Sequence, residues 1–210
     1  MKPLVAALRF LTVLPLPARW PTTAEDLGRS LPFFPLVGAL IGAAAAGLSL
    51  GAAWALPPWP AAVVVAAGGV LFSGGLHLDG LSDSADGLLS SRPRERALEI
   101  MRDGRAGPMG VFAVVCVMAL KISALAYLVP LKDGSTLWRA AFLMPVAGRA
   151  AILVSMSLLP YARPAGGLGS AFYAGARRAS AVWALIFLVL FAAIIVVSVK
   201  KFRSENQNEN

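Results

Sequence analysis

Long apolar runs separated by short polar stretches make up most of this chain. Runs at about 33–56, 61–78, 109–129, 137–159 and 181–199 each have the length that a helix needs to cross a hydrocarbon core. Residues 1–20 are also apolar but are interrupted by Arg9, Pro15 and Pro17, so we expect an interfacial or re-entrant segment there. The pattern predicts an all-α bundle of about five transmembrane helices. It forms one membrane domain over 1–199, followed by a polar tail at 200–210.

Composition supports a membrane protein. Hydrophobic residues make up 58% of the chain and charged residues only 14%, whereas soluble domains carry about 25% charged residues. The net charge of +8 could indicate nucleic-acid binding, but the basic residues cluster at the ends of the apolar runs. That distribution favours orientation in a lipid bilayer over a nucleic-acid groove.

Glycine spacing in the first run predicts close helix packing. Gly38 and Gly42, and then Gly47 and Gly51, form two small-xxx-small pairs. Such pairs let a neighbouring membrane helix approach closely.

The positive residues predict the orientation of the chain. Lysine and arginine concentrate in the amino-terminal segment and in the loops 79–107 and 161–179, so these parts are expected on the cytoplasmic side. The loop 79–107 would then be an active-site loop facing the cytoplasm. Lys200, Lys201 and Arg203 contradict this scheme, because five spans would place them outside. Either the fifth run does not cross the membrane, or a further span is missing.

A dense polar stretch follows the second apolar run. Asp79, Asp83 and Asp86 are spaced i, i+4, i+7, which places them on one face if the stretch is helical. Three neighbouring carboxylates repel one another, so a hard cation such as Mg²⁺, shared with substrate phosphate oxygens, is expected between them. The alternative is a solvated helix end whose aspartates pair with nearby arginines.

Other charged residues near this stretch have both functional and structural interpretations. Arg102 and Arg105 could clamp a phosphate, or could only anchor the loop on the positive side. His77 could accept a proton from an attacking hydroxyl, serve as a hydrogen-bond partner, or mark the helix boundary. Arg149 lies within an apolar run, where it could contact an anionic substrate, pair with an aspartate, or snorkel towards water.

Two long motifs make the chain recognisable. Residues 74–87 read GGLHLDGLSDSADG and residues 98–107 read LEIMRDGRAG. Together they closely resemble the cobalamin synthase family, the adenosylcobinamide-GDP ribazoletransferases. Flanking similarities occur at 34–38 and 161–169, and Arg149 falls where the family tends to keep an arginine.

The resemblance implies a multi-pass transferase of the bacterial cytoplasmic (inner) membrane. Such an enzyme joins adenosylcobinamide-GDP to α-ribazole, or to its 5′-phosphate, and releases GMP with the help of Mg²⁺. This is the last step of nucleotide-loop assembly in cobalamin biosynthesis. The metal ligands would be Asp79, Asp83 and Asp86, and the proton acceptor would be Asp83 or His77. The substrate contacts would come from Arg102, Asp103, Arg105, Arg149 and Arg163.

The resemblance is incomplete after the fifth run. The family usually continues with a further span and a Gly-Gly-x-Thr-Gly-Asp type segment, and neither is found here. This predicts a chain that lacks a carboxyl-terminal part and is a weak or inactive enzyme.

Two other functions remain open. A CDP-alcohol-type membrane phosphotransferase would need Ala-Arg after Asp79-Gly80, where this chain has Leu81-Ser82-Asp83. A transporter or an inactive membrane scaffold would place acidic residues within its spans, whereas every aspartate here lies at or beyond the end of a predicted span.

Overall fold

The computed structural model is built from helices. It describes residues 1–130, 135–163, 166 and 168–175, together with positions 182, 186, 189, 190, 193 and 197; no strand occurs in this part of the chain. The helices are α1 (Lys2–Leu11), α2 (Ala24–Gly28), a 3₁₀ helix (Leu31–Phe33), α3 (Phe34–Ala55), α4 (Pro58–Phe72), α5 (Leu76–Leu88), α6 (Arg94–Ile100), α7 (Pro108–Leu128), α8 (Ser135–Leu158) and α9 (Leu168–Gly175). The predicted all-α class is confirmed.

Three helical stretches in the described part are long and apolar enough to cross a membrane. They are Leu31–Ala55, Pro108–Leu128 and Thr136–Leu158, with mean hydropathies of 1.9, 2.3 and 1.7. They correspond to the predicted first, third and fourth spans, so a multi-pass helical membrane protein is confirmed. The predicted fifth span at 181–199, apart from a few single positions, and the polar tail lie outside the described residues.

The predicted second span is broken. We expected one helix over 61–78 that runs straight into the aspartates, but α4 ends at Phe72 and α5 begins at Leu76, with an 89° bend between them. Gly74 and Gly75 have φ angles of 59° and 73°, a left-handed conformation that glycine adopts without a steric penalty. The prediction of a continuous helix was therefore wrong, and α4 with α5 provides at most one bent span.

The helices group into two compact units. The first comprises residues 1–10, 15–44 and the described part from 139 onward. Its core includes three phenylalanine rings: Phe10 lies 6.1 Å from Phe34 and 4.9 Å from Phe172, and the last two are 5.6 Å apart between centroids. Phe34 and Phe172 are almost completely buried, so this cluster stabilises the first unit.

Helices α3 and α8 approach each other closely within the first unit. A Cβ atom on Gly38 would lie 2.8 Å from the carbonyl oxygen of Pro145, and one on Gly42 would overlap the backbone of Phe142. The first small-xxx-small pair therefore packs as predicted. No described atom lies within 4 Å of a Cβ built on Gly47 or Gly51, so close packing at the second pair stays a prediction.

The second unit comprises residues 11–14 and 45–138 and contains α4 to α7. The amide of Val13 donates a hydrogen bond to the carbonyl of Phe72 at 3.1 Å, which ties the segment after α1 to the end of α4. Gly87 of α5 packs against Met101 and the carbonyl of Ala97, just after and within α6. Helix α5 thereby lies against α6, and it also contacts α7.

Candidate active site

The site begins at the sharp bend before α5. Gly75, in the left-handed conformation, is the N-cap residue of α5, and His77 and Asp79 follow in the first turn. A carboxylate in this turn interacts favourably with the partial positive charge of the helix N-terminus. His77 is half-buried and contacts other groups of the protein. Because residues two apart on a helix point in different directions, His77 does not share the aspartate face.

Asp79 and Asp83 lie one turn apart on α5. The side chain of Asp79 is exposed, whereas Asp83 is half-buried and interacts with another group of the protein. The predicted i, i+4 placement on one helical face is therefore correct for these two residues.

Asp86, the third aspartate, contacts the beginning of α7. Its Oδ2 accepts a hydrogen bond from the backbone N–H of Gly107 at 2.7 Å, and its Oδ1 accepts one from Gly110 at 2.8 Å. Both carboxylate oxygens are thus engaged by main-chain donors. Asp86 provides the hydrogen-bond acceptor at the α7 N-terminus, although it comes from another helix.

The carboxylates do not form a three-residue metal cluster. Among the residues that the structure describes, no three histidine, cysteine, aspartate or glutamate side chains are arranged to hold one metal ion. Mg²⁺ is commonly bound through one or two carboxylates plus substrate phosphates and water. The oxygen donors of Asp79 and Asp83 fit that kind of shared site, whereas a cage of three aspartates does not match the geometry.

The predicted phosphate-binding residues follow α6. Arg102, Asp103 and Arg105 are all exposed. Nε of Arg105 lies 3.6 Å from Oδ1 of Asp103, and an ion pair this exposed contributes little to stability. Gly104 between them has a φ angle of 63°, so the segment turns sharply. The arginine side chains remain accessible to an anion from solution.

Arg149 is the least hydrated of the predicted site residues. Only 7% of its surface is exposed, and its Nε and Nη2 find no hydrogen-bond acceptor in the described part of the chain. The antiparallel contacts of Gly42 with Phe142 and of Gly38 with Pro145 give the register of α8 against α3. Continuing that register puts Arg149 level with the first turn of α3. Arg149 thus lies near the end of the first span, although it is central in α8.

The predicted residues fall into two groups. His77, the three aspartates and the segment 102–105 all belong to the second unit. Arg149 and Arg163 belong to the first unit, and Arg163 is half-buried just after α8.

Three residues of the site were missed by the sequence analysis. A Cβ atom on Gly107 would overlap the Asp86 carboxylate, and one on Gly110 would overlap both that carboxylate and Oγ of Ser82. The available signal was the start of α7: Gly107 is its N-cap and Pro108 follows, so the helix begins without a side-chain cap of its own. The amides of an uncapped helix start need acceptors from outside the helix, which another part of the fold or water can supply, so this signal does not identify Asp86.

Comparison with known proteins agrees with the motifs. The family model described as cobalamin-5-phosphate synthase matches residues 3–203. A protein from Herpetosiphon aurantiacus is 39% identical over 92% of this chain and 75% of its own length. One from Acetivibrio thermocellus is 42% identical (82% and 68%), and one from Pseudomonas putida is 41% identical (93% and 79%). All three are named adenosylcobinamide-GDP ribazoletransferase.

No solved structure gives a significant match. The family model, by contrast, covers nearly the whole chain, including α5 and the segment after α6. The chain is therefore a member of the cobalamin-5-phosphate synthase family.

Proposed function

We propose that this chain is a membrane transferase that joins adenosylcobinamide-GDP to α-ribazole, or to its 5′-phosphate, and releases GMP. The reaction would complete the nucleotide loop of cobalamin. One observation carries the proposal: the family match spans 3–203 and so includes the stretch where six of the eleven acidic residues and five arginines are concentrated. Relatives at about 40% identity bear the name of this activity.

The charge of the proposed substrate suits the cations of the site. A diphosphate offers several anionic oxygens, and guanidinium groups bind such oxygens through charge-assisted, often bidentate hydrogen bonds. Arg102 and Arg105 are exposed and accessible. Arg149 has buried donors that need an acceptor, and burying a charge without one is costly. We assign substrate contacts to these three arginines, and also to Asp103 and Arg163.

The proposed step is an in-line displacement at phosphorus. A ribose hydroxyl of ribazole attacks the phosphorus that carries cobinamide, and a new O–P bond forms. The bond from that phosphorus to the bridging diphosphate oxygen breaks, and GMP leaves with the electron pair. The hydroxyl proton moves to Asp83 or to His77. Positioning and charge neutralisation supply most of the rate in this class of reaction.

Mg²⁺ is proposed as the metal, held by Asp79 and Asp83. When bound, it would neutralise negative charge on the diphosphate. The hard carboxylate oxygens of these residues suit the ion. Asp86 was predicted as a third ligand, but its two oxygens already accept hydrogen bonds from α7, so we give it a different role below.

We further propose that the protein lies in the bacterial cytoplasmic membrane with its site facing the cytoplasm. The arginines of the stretch 92–105 support this orientation, because basic residues accumulate in cytoplasmic segments. The three apolar helices that can each cross a bilayer support the membrane location.

The direct test uses the full chain in lipid nanodiscs with adenosylcobinamide-GDP, α-ribazole and Mg²⁺. We expect GMP and the joined corrinoid in equal amounts, measured by chromatography and mass spectrometry. Asp83→Asn should lower turnover by at least about 100-fold. Glu95→Gln, an exposed carboxylate on α6, should leave turnover unchanged.

Metal binding needs a measurement separate from turnover. Mn²⁺, observed by electron paramagnetic resonance with adenosylcobinamide-GDP present and ribazole absent, should bind the wild type more tightly than Asp79→Asn or Asp83→Asn. Absence of the joined product at every Mg²⁺ concentration, or CMP release from CDP-activated lipid instead, would overturn the proposed function.

A further inference from the structure

The beginning of α7 depends on a side chain from another helix. The first backbone N–H groups of any helix lack acceptors within the helix. In α7 the N-cap position is Gly107, which has no side chain, and Pro108 has no N–H. Asp86 accepts hydrogen bonds from the amides of Gly107 and Gly110, at 2.7 and 2.8 Å. It does so from 21 and 24 residues earlier in the chain, so it joins α5 to α7.

The contact is closely packed on the α7 side. Any Cβ atom on Gly107 or Gly110 would overlap the Asp86 carboxylate, and on Gly110 it would also overlap the buried hydroxyl of Ser82. Glycine is therefore needed at both positions for the carboxylate to reach the amides. One turn of α5 contributes both Asp86 and Ser82 to this contact.

Gly87, the next residue of α5, packs against the other end of the segment between α6 and α7. A Cβ on Gly87 would lie 2.6 Å from the Met101 side chain and 2.9 Å from the carbonyl of Ala97. Residues 101–107 connect α6 to α7 and carry the predicted phosphate-binding arginines. Gly87 fixes the start of this segment and Asp86 fixes its end, so both ends are held against α5.

A cation at Asp86 would meet an unfavourable field. Two N–H groups point at its oxygens, and the N-terminus of α7 carries partial positive charge. An anion is stabilised in that position and a metal ion is repelled. Asp79, by contrast, is exposed to solvent.

We infer that Asp86 is a positioning residue, which clamps the arginine segment 101–107 to α5, and not a third metal ligand. The effect of the clamp on turnover rests on the proposed function, whereas the clamp itself does not. Asp86 acts on the reaction through the arginines that it positions, and leaves Mg²⁺ to the two preceding aspartates.

Three variants test the clamp in the full chain in nanodiscs. Asp86→Asn keeps the shape but replaces one acceptor oxygen with an NH₂ group. Gly110→Ala disturbs the same contact from the α7 side. Both should lower the thermal midpoint and reduce kcat by about 10–100-fold, while the Mg²⁺ concentration for half-activation stays within about twofold of wild type. Gly69→Ala is the matched control, since Gly69 is a glycine of α4 in the same unit with no described atom within 4 Å of its Cβ position. It should leave kcat and the Mg²⁺ requirement unchanged, and through its helix propensity it should not lower the thermal midpoint.

Hydrogen exchange tests the clamp directly in the wild type, so the result depends neither on the folding of a variant nor on turnover. In the wild type, the Gly107 and Gly110 amides should exchange much more slowly than the neighbouring Gly104 amide. Gly110→Ala should remove the protection of Gly107.

Fast exchange of both amides in the wild type would overturn the clamp. So would an Asp86→Asn variant that needs at least about tenfold more Mg²⁺ with an unchanged thermal midpoint, because that is the behaviour of a metal ligand. If the wild type releases no GMP while both amides are protected, the proposed function fails and the clamp stands.

Discussion

Replacement of Arg149 by methionine should raise stability and lower activity in the same variant. Arg149 is only 7% exposed, and two of its guanidinium nitrogens lack acceptors among the described residues. Replacing buried ionic groups by apolar side chains of similar volume is often stabilising by about 1–4 kcal/mol. For a chain of this size, each kcal/mol corresponds to a rise of about 2–4 °C in the thermal midpoint.

The same substitution removes the guanidinium N–H donors that we assign to the substrate diphosphate. A hydrogen bond to a charged group contributes about 1.5–3 kcal/mol, so losing one with the diphosphate should lower kcat/KM by about 10–100-fold. Thermal unfolding without substrate and GMP release with substrate measure the two effects. Arg92→Met is the control, because Arg92 is exposed and a surface substitution of this kind should change stability by about 0.5 kcal/mol or less.

The two measurements can refute the reasoning separately. A lower thermal midpoint for Arg149→Met would mean that the guanidinium already has a compensating partner in the free protein. A higher midpoint with unchanged kcat/KM would mean that Arg149 is a destabilising buried charge but does not contact the substrate.

Two further predictions concern the scaffold. Gly42→Ala should destabilise the protein by about 1–3 kcal/mol because its methyl group would overlap the Phe142 backbone. Gly47→Ala, by contrast, should stabilise the protein by up to about 1 kcal/mol through helix propensity. Unfolding in detergent measures both free energies, and equal effects would exclude close packing at Gly42. The Thr23 backbone N–H, as the main cause, lowers the pKa of Asp26 from its ordinary value of 3.8. This carboxylate therefore stabilises α2 at pH values above that ordinary pKa, and the contribution is lost as the pH falls through the lowered pKa. The protection factors of the α2 amides, which correct for the intrinsic pH dependence of exchange, should therefore fall in acid in the wild type but not in Asp26→Asn. An equal fall in both would refute the assignment.

The helices that cross a membrane could be predicted from the sequence because length and apolarity determine them. The third and fourth predicted spans, 109–129 and 137–159, agree with Pro108–Leu128 and Thr136–Leu158 to within one residue at each end. The second span could not be predicted in the same way. Ser73, Gly74 and Gly75 are small and compatible with an apolar helix, and hydropathy contains no information about the φ angles that turn the chain there.

The candidate site was predictable in its residues but not in their partners. The spacing of Asp79, Asp83 and Asp86 correctly indicated one helix. The partners of Asp86 are backbone amides, and every residue except proline has one, so no side-chain pattern could identify them. Likewise, the burial of Arg149 depends on tertiary packing, which composition does not determine.

The early end of α4 has a consequence for the surrounding lipid. A helix of 15 residues is about 22 Å long, whereas the hydrocarbon core of a bilayer is about 30 Å thick. Where α4 and α5 together make one bent span, α4 therefore leaves a hydrophobic mismatch of roughly 8 Å. A thinner bilayer would relieve it and would bring the first turn of α5, with Asp79, to the headgroup level. Turnover in nanodiscs of graded acyl-chain length should accordingly depend on bilayer thickness, with an optimum in the shorter-chain lipids.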